Sequence, residues 1–283
     1  MKRYLFLVLL VISSTASAIV IRADLDDAAY RIPASAFPAL ADMPYEGHGV
    51  LIAPQWVVTA AHAAPSPHMN EVTIGGAARS IERVFTHPGY KKLPDALIQE
   101  ALASGDASKI HEFLASSDDI ALIKLASPVT DVTPVAPYRG SDEIGKTIEL
   151  IGKGATGNGT DGQPPHSPHR TDLRHAFNVV AGADARWLWY AFDPPPAGLP
   201  LEGATGSGDS GGPVVIRDKG QVRLAGLANW VKYPESEVPT IQPGLYGQIG
   251  YSIRISRYAQ WIDDTVAAQG HLGDRQSSEE HER

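Results

Sequence analysis

The stretch Gly206-Ser207-Gly208-Asp209-Ser210-Gly211-Gly212-Pro213 crowds Ser210 with four glycines and a proline. Backbone of that composition turns tightly and can bring its N–H groups close to a bound atom. Two N–H groups converging on one point stabilise an oxyanion, and a serine between them is placed to create one as a nucleophile. Alone the pattern is a weak signal, because loops rich in glycine and serine are common.

Two other segments give it meaning. Val58-Thr59-Ala60-Ala61-His62-Ala63 is an apolar strand ending in small residues that leave room around one imidazole. Asp118-Asp119-Ile120-Ala121-Leu122-Ile123-Lys124-Leu125 puts acids at the head of a second apolar strand. A serine hydroxyl becomes a competent nucleophile when a base takes its proton, and histidine has a suitable pKa. The order His, Asp, Ser also excludes alternatives. An α/β-hydrolase would run Ser, acid, His, yet the only histidines after Ser210 are His271 and His281, in a polar tail. A subtilisin-like order would need the Asp first.

Around these motifs the chain reads as short strands. Gly49–Ile52 and Trp56–Thr59 are β-branched and apolar, with a turn at Ala53-Pro54-Gln55. Similar segments recur at 71–74, 80–85, 120–125, 147–151, 177–180, 186–192, 213–216, 224–230 and 247–251, the rhythm of an all-β barrel or sandwich. Apolar residues between Asp95 and Ala115 suit two short helices around Ser104-Gly105-Asp106. Ser256 is positioned to cap a last helix with Tyr258, Ile262 and Val266 on one face, and His271 to Arg283 reads as disordered.

Together, Thr59-Ala60-Ala61-His62, Asp119-Ile120-Ala121-Leu122 and Gly208-Asp209-Ser210-Gly211-Gly212-Pro213 make the chain resemble a trypsin/chymotrypsin-type serine peptidase, a cysteine-free and bacterial-looking one. The resemblance spans nearly all of the chain after residue 18. It implies two perpendicular six-stranded antiparallel β-barrels, about 19–135 and 136–251, with the active site between them and a helix at about 256–268. It implies Ser210 as nucleophile, His62 as general base and then acid, and Asp119 rather than Asp118 as the orienting carboxylate. The oxyanion donors become the N–H groups of Gly208 and Ser210. Asp209 would pair with the α-ammonium of a chain beginning at Ile19. The same resemblance puts Ala204 at the base of the specificity pocket, Asn229-Trp230-Val231 along the substrate backbone, and Gly244 on the opposite wall. Ala204 in place of an acid argues against arginine or lysine substrates, and the pocket reads as shallow and apolar. Asn229 replaces a serine that normally contacts the catalytic Asp, and its amide can donate in the same way. The second reading is a catalytically silent homologue that binds partners through the cleft and the helical insertion.

Composition fits an exported enzyme of this size. The 283 residues are 43% hydrophobic, carry a formal charge of −8, and include no cysteine. An acidic chain is a poor ligand for nucleic acid or an anionic membrane surface. Lys2 and Arg3, the apolar run Leu5 to Ile12, and Ala16-Ser17-Ala18 read as a signal peptide cleaved after Ala18. That run is too short to span a bilayer, so no integral span is expected in the mature chain, and the destination is the periplasm or the medium. No cofactor or metal is expected, since His166 and His169 are separated by prolines in a solvated loop. The expected partner is a protein or peptide substrate.

Overall fold

The computed structural model describes residues 19–64, 70–164, 172–233 and 242–281, with side chains to residue 269. The expected leader, residues 1–18, and the His166 to His169 loop lie outside them.

In chain order the elements are β1 (Ile19–Ile21), β2 (Leu40–Asp42), β3 (His48–Ala53), β4 (Trp56–Ala60), β5 (Glu71–Ile74) and β6 (Ala77–Thr86). Helices α1 (Asp95–Ser104) and α2 (Ser108–Ala115) precede β7 (Ile120–Leu125). The second half carries β8 (Thr147–Gly152), β9 (Thr156–Asn158), β10 (Arg174–Val179), β11 (Gly182–Ala183), β12 (Trp187–Ala191), β13 (Gly203–Ala204), β14 (Pro213–Asp218), β15 (Gln221–Lys232) and β16 (Ile249–Arg254). Helix α3 (Ile255–His281) follows.

The first half is a closed barrel in the order β2-β3-β4-β7-β6-β5. Its centre is β4, buried at all five positions because the apolar run Trp56–Ala60 is laddered on one side to β3 and on the other to β7. His62 follows directly, in a single 3-10 turn at Ala61–Ala63. The second half is a seven-stranded sheet, β10-β8-β14-β15-β16-β12-β11. It stops short of the closed six-stranded barrel that the sequence implies. β11 is only two residues long, and where β10 approaches β12 a side chain replaces the ladder. The Asn178 amide donates to Ala191 O at 2.7 Å and to Gly203 O at 3.1 Å.

β1 lies with this second half, not with the N-terminal barrel in which the sequence reading put it. It pairs antiparallel with β13 and parallel with β9, and Ile19 and Val20 are fully buried in the C-terminal core with Ala204, Tyr190 and Phe192. The other core runs from inside the N-terminal barrel across to Trp187, Leu227, Ile253 and one face of α3, including Tyr258 and Ile262.

The insertion forms the two expected helices. Gly105 ends α1 with φ 74° and donates to Ala101 O. α3 departs from expectation at both ends. It begins at Ile255, so Ser256 lies inside its first turn and donates to the buried Glu143 at 2.6 Å instead of capping. It also continues helical to His281, through residues read as disordered; no proline interrupts that stretch. Among the described residues no helix is long and apolar enough to cross a membrane.

Candidate active site

Of the residues nominated by the sequence, His62, Asp119 and Ser210 come together between the two halves. His62 arrives from the end of β4, Asp119 stands immediately before β7, and β4 and β7 are adjacent, with Ala60 opposite Ile120. That register sets Asp119 beside His62. Its Oδ2 is 2.6 Å from His62 Nδ1, and its Oδ1 accepts the His62 backbone N–H at 2.9 Å. A third donor comes from the other half of the molecule. Asn229 is the extra residue in a bulge of β15 between Ala228 and Trp230, and its Nδ2 donates to Asp119 Oδ2 at 3.0 Å. Bulges re-aim side chains in this way.

Asp119 is buried, whereas the His62 side chain is 38% exposed to the cleft. Burial disfavours the imidazolium, but the hydrogen bond and charge of Asp119, aided by Glu46, outweigh it and raise His62 above its ordinary pKa. Asp118 faces elsewhere. It accepts from Arg186 and from Tyr258 of α3, both at 2.8 Å, which ties the helix to the barrels.

Ser210 and His62 line one cleft of about 470 Å³. Ser210 is fixed from behind, its carbonyl accepting the His48 N–H at 2.8 Å. Gly208 sits at φ 88°, in the left-handed region where a side chain is costly. Among the described residues, no protein acceptor takes the N–H of Gly208 or of Ser210. The carboxylate between them is fully buried. Asp209 Oδ1 accepts from Gly154 N at 2.7 Å and Oδ2 from Gly206 N at 2.8 Å, and the N–H groups of Lys153 and Ile19 also act on it. Burial nevertheless pushes Asp209 up to about 6. The arrangement offers a base and a hydroxyl lining one cleft, a carboxylate fixing that base, and two N–H groups on the serine loop with no protein acceptor among the described residues, which is the equipment of acyl transfer. Among the described residues, no three His, Asp or Glu side chains gather as a metal site.

The trypsin family model matches residues 29–262. The chain belongs to the trypsin family. It is accordingly a serine-type endopeptidase. It is similar to serine protease harobin of Hydrophis hardwickii, 25% identical over 79% of this chain and 76% of the relative. It is also similar to snake venom serine protease Haly-2 of Gloydius brevicauda, 28% identical over 80% of each chain. Among solved structures, neuropsin, a serine protease expressed in the limbic system of mouse brain, shares the fold with a TM-score of 0.60. That likeness covers 84% of this chain and 98% of neuropsin at 20% identity.

For this trypsin-family enzyme the pocket walls differ from the sequence expectation at two places. Ala204 does not line the cleft. It pairs with Val20 and packs into the C-terminal core, while the next residue, Thr205, faces the cleft. Gly244 is not opposite Val231 either. A Cβ on Gly244 would lie 2.8 Å from Val20 Cγ2, so that glycine packs on β1. The residue opposite Val231 is Gly250 of β16, and Tyr251 stands opposite Trp230. The sequence holds both Gly244-Leu245-Tyr246 and Gly250-Tyr251, and only the ladder with β15 chooses between them.

The sequence reading set the Asp95–Ala115 insertion over the cleft near His62 but did not name which of its residues face in. Ala107, Ile110, His111 and Leu114 line the cleft across from Trp230 and Val231. The His111 ring stacks on Trp230 at 5.7 Å and 23°, and Trp187 Nε1 donates to Ala115 O at the end of the helix. The amphipathic spacing of Ile110, His111 and Leu114 was the available signal.

Proposed function

We propose that this endopeptidase is exported, that removal of residues 1–18 frees Ile19, and that it cleaves after small or medium aliphatic residues through an acyl-enzyme on Ser210. The observation that carries this reading is the double hydrogen bond of Asp119 to His62 in the cleft that Ser210 shares.

Ser210 Oγ attacks the substrate carbonyl carbon as His62 takes its proton, and Asp119 steadies the imidazolium. The N–H groups of Gly208 and Ser210 receive the oxyanion, each contributing roughly 3–4 kcal/mol in such sites. His62 passes its proton to the departing amine. It then takes one from the water that hydrolyses the ester, returning it to Ser210. The half-buried run Asn229-Trp230-Val231, which lines the cleft, is the strand edge on which an extended substrate lies by strand addition.

Export is supported by the leader-like Met1 to Ala18 and by the venom source in one relative's name. Processing at Ile19 is supported by the backbone. Ile19 has φ 66°, a conformation that strains a β-branched residue. That torsion ceases to exist when residue 18 is removed, and the new α-ammonium supplies the positive charge that the buried Asp209 carboxylate needs.

N-terminal sequencing of the secreted protein and labelling with a fluorophosphonate test both parts. A start at Ile19 and labelling lost in Ser210→Ala are expected. Any other N-terminus overturns the processing step, and absence of labelling on processed wild type overturns the role of Ser210.

A further inference from the structure

One layer behind the Thr205 wall of the cleft lies an aromatic ring whose hydroxyl touches that wall. Tyr190 comes from β12, is only 1% exposed, and stands opposite Gly250 in the ladder with β16. A Cβ on Gly250 would lie 2.4 Å from Tyr190 Cζ and 2.5 Å from its hydroxyl, so the ring lies directly on that glycine. The same hydroxyl accepts the Thr205 N–H at 3.2 Å and is 3.1 Å from Thr205 Oγ1. Thr205 lines the cleft on one side. Gly250 backs Val231 on the other. The hydroxyl end of the ring therefore lies behind the cleft, between Thr205 and Gly250.

We infer that Tyr190 is the floor of the primary specificity pocket and limits the cleaved residue to side chains of about alanine to valine size. This rests on the endopeptidase reading above and deepens it, since the base expected at Ala204 is turned into the core. The floor is rigid. The hydroxyl end of the ring is held twice, by two hydrogen bonds to Thr205 and by its packing on Gly250, and burial keeps the phenol neutral, able to donate. Side chains longer than valine would have to displace a fully buried ring from a close-packed core.

The test is cleavage of a peptide series differing only in the residue before the scissile bond, Ala, Val, Leu or Phe. Wild type should cleave after Ala or Val about 100-fold more efficiently in kcat/KM than after Phe, the scale on which a hydrophobic pocket senses added carbons. Tyr190→Ala should raise the Phe-to-Ala ratio by about 100-fold. Tyr190→Leu, which keeps apolar volume in the core should the alanine variant fail to fold, should move the preference to Leu by about tenfold. Tyr190→Phe keeps the ring and should keep the wild-type size order. A wild-type preference for Phe, Arg or Lys overturns the small-residue reading itself. A small-residue preference that is unchanged in folded Tyr190→Leu overturns only the assignment of Tyr190 as floor.

Discussion

Asp119 holds His62 at two points, side chain and backbone, with Oδ2 2.6 Å from Nδ1 and Oδ1 2.9 Å from the backbone nitrogen. One carboxylate thus fixes both the tilt of the ring and the turn that carries it. Catalysis requires neutral His62, so activity should rise with pH through a His62 pKa lying above the ordinary imidazole value. Asp119→Asn removes the main force raising that pKa. The acidic limb of the kcat/KM profile should shift to lower pH, and the plateau should fall by about 10⁴ through loss of the correct tautomer.

Glu46 lines the same cleft and acts on the imidazole through its charge. Its charge adds to the rise of the His62 pKa. Glu46→Gln should therefore move the acidic limb to lower pH while leaving the high-pH plateau within about twofold, a separation that a pH series at low ionic strength measures.

The His62 motif, the acid before β7 and the Ser210 loop were legible because each is a local pattern: apolar run, then functional residue. The choice of Asp119 over Asp118 came from the family resemblance, which puts the acid directly before the Ile120-Ala121-Leu122 strand. What could not be read is whatever depends on pairing register. Gly244 and Gly250 are equivalent as letters, and only the β15–β16 ladder sets Gly250 behind the cleft. Tyr190 was invisible as a pocket residue for the same reason, being one aromatic in the apolar run Trp187–Ala191. The second barrel was overdrawn because the closing contact is a side chain, Asn178, and not a strand.

Asn229 is expected to matter through Asp119. Asn229→Ala leaves Asp119 Oδ2 with His62 as its side-chain partner and should lower kcat about tenfold with little change in KM. Asn229→Ser, which retains a donor, should recover part of the loss. Steady-state kinetics on one small peptide substrate separates the two parameters.

Asp209 gives the unprocessed chain a distinct pH dependence. Its folded pKa is raised, to about 6, by burial. A raised carboxylate contributes stability that is complete below the unfolded value near 4 and lost as pH rises through about 6. The uncleaved Ser210→Ala chain should therefore lose about 3 kcal/mol between pH 4 and 7 relative to the same chain carrying Asp209→Asn. Paired urea titrations across that range read the difference.

Ile110 and Leu114 of α2 form an apolar wall facing Trp230. Ile110→Ala and Leu114→Ala should each raise KM about tenfold for peptides with an apolar residue at that wall, with kcat nearly unchanged. The same variants should not alter cleavage of a peptide carrying glycine there, which a comparison of the two substrates establishes.

The contact between Gly250 and Tyr190 constrains the order in which this enzyme can change. Any side chain at position 250 collides with the ring while tyrosine remains at 190, so a substitution at 250 is harmful first and harmless second. Lineages descending from such a sequence can acquire a new pocket wall only after the floor has been given up. The history of substrate choice in these descendants would run in one direction, through position 190.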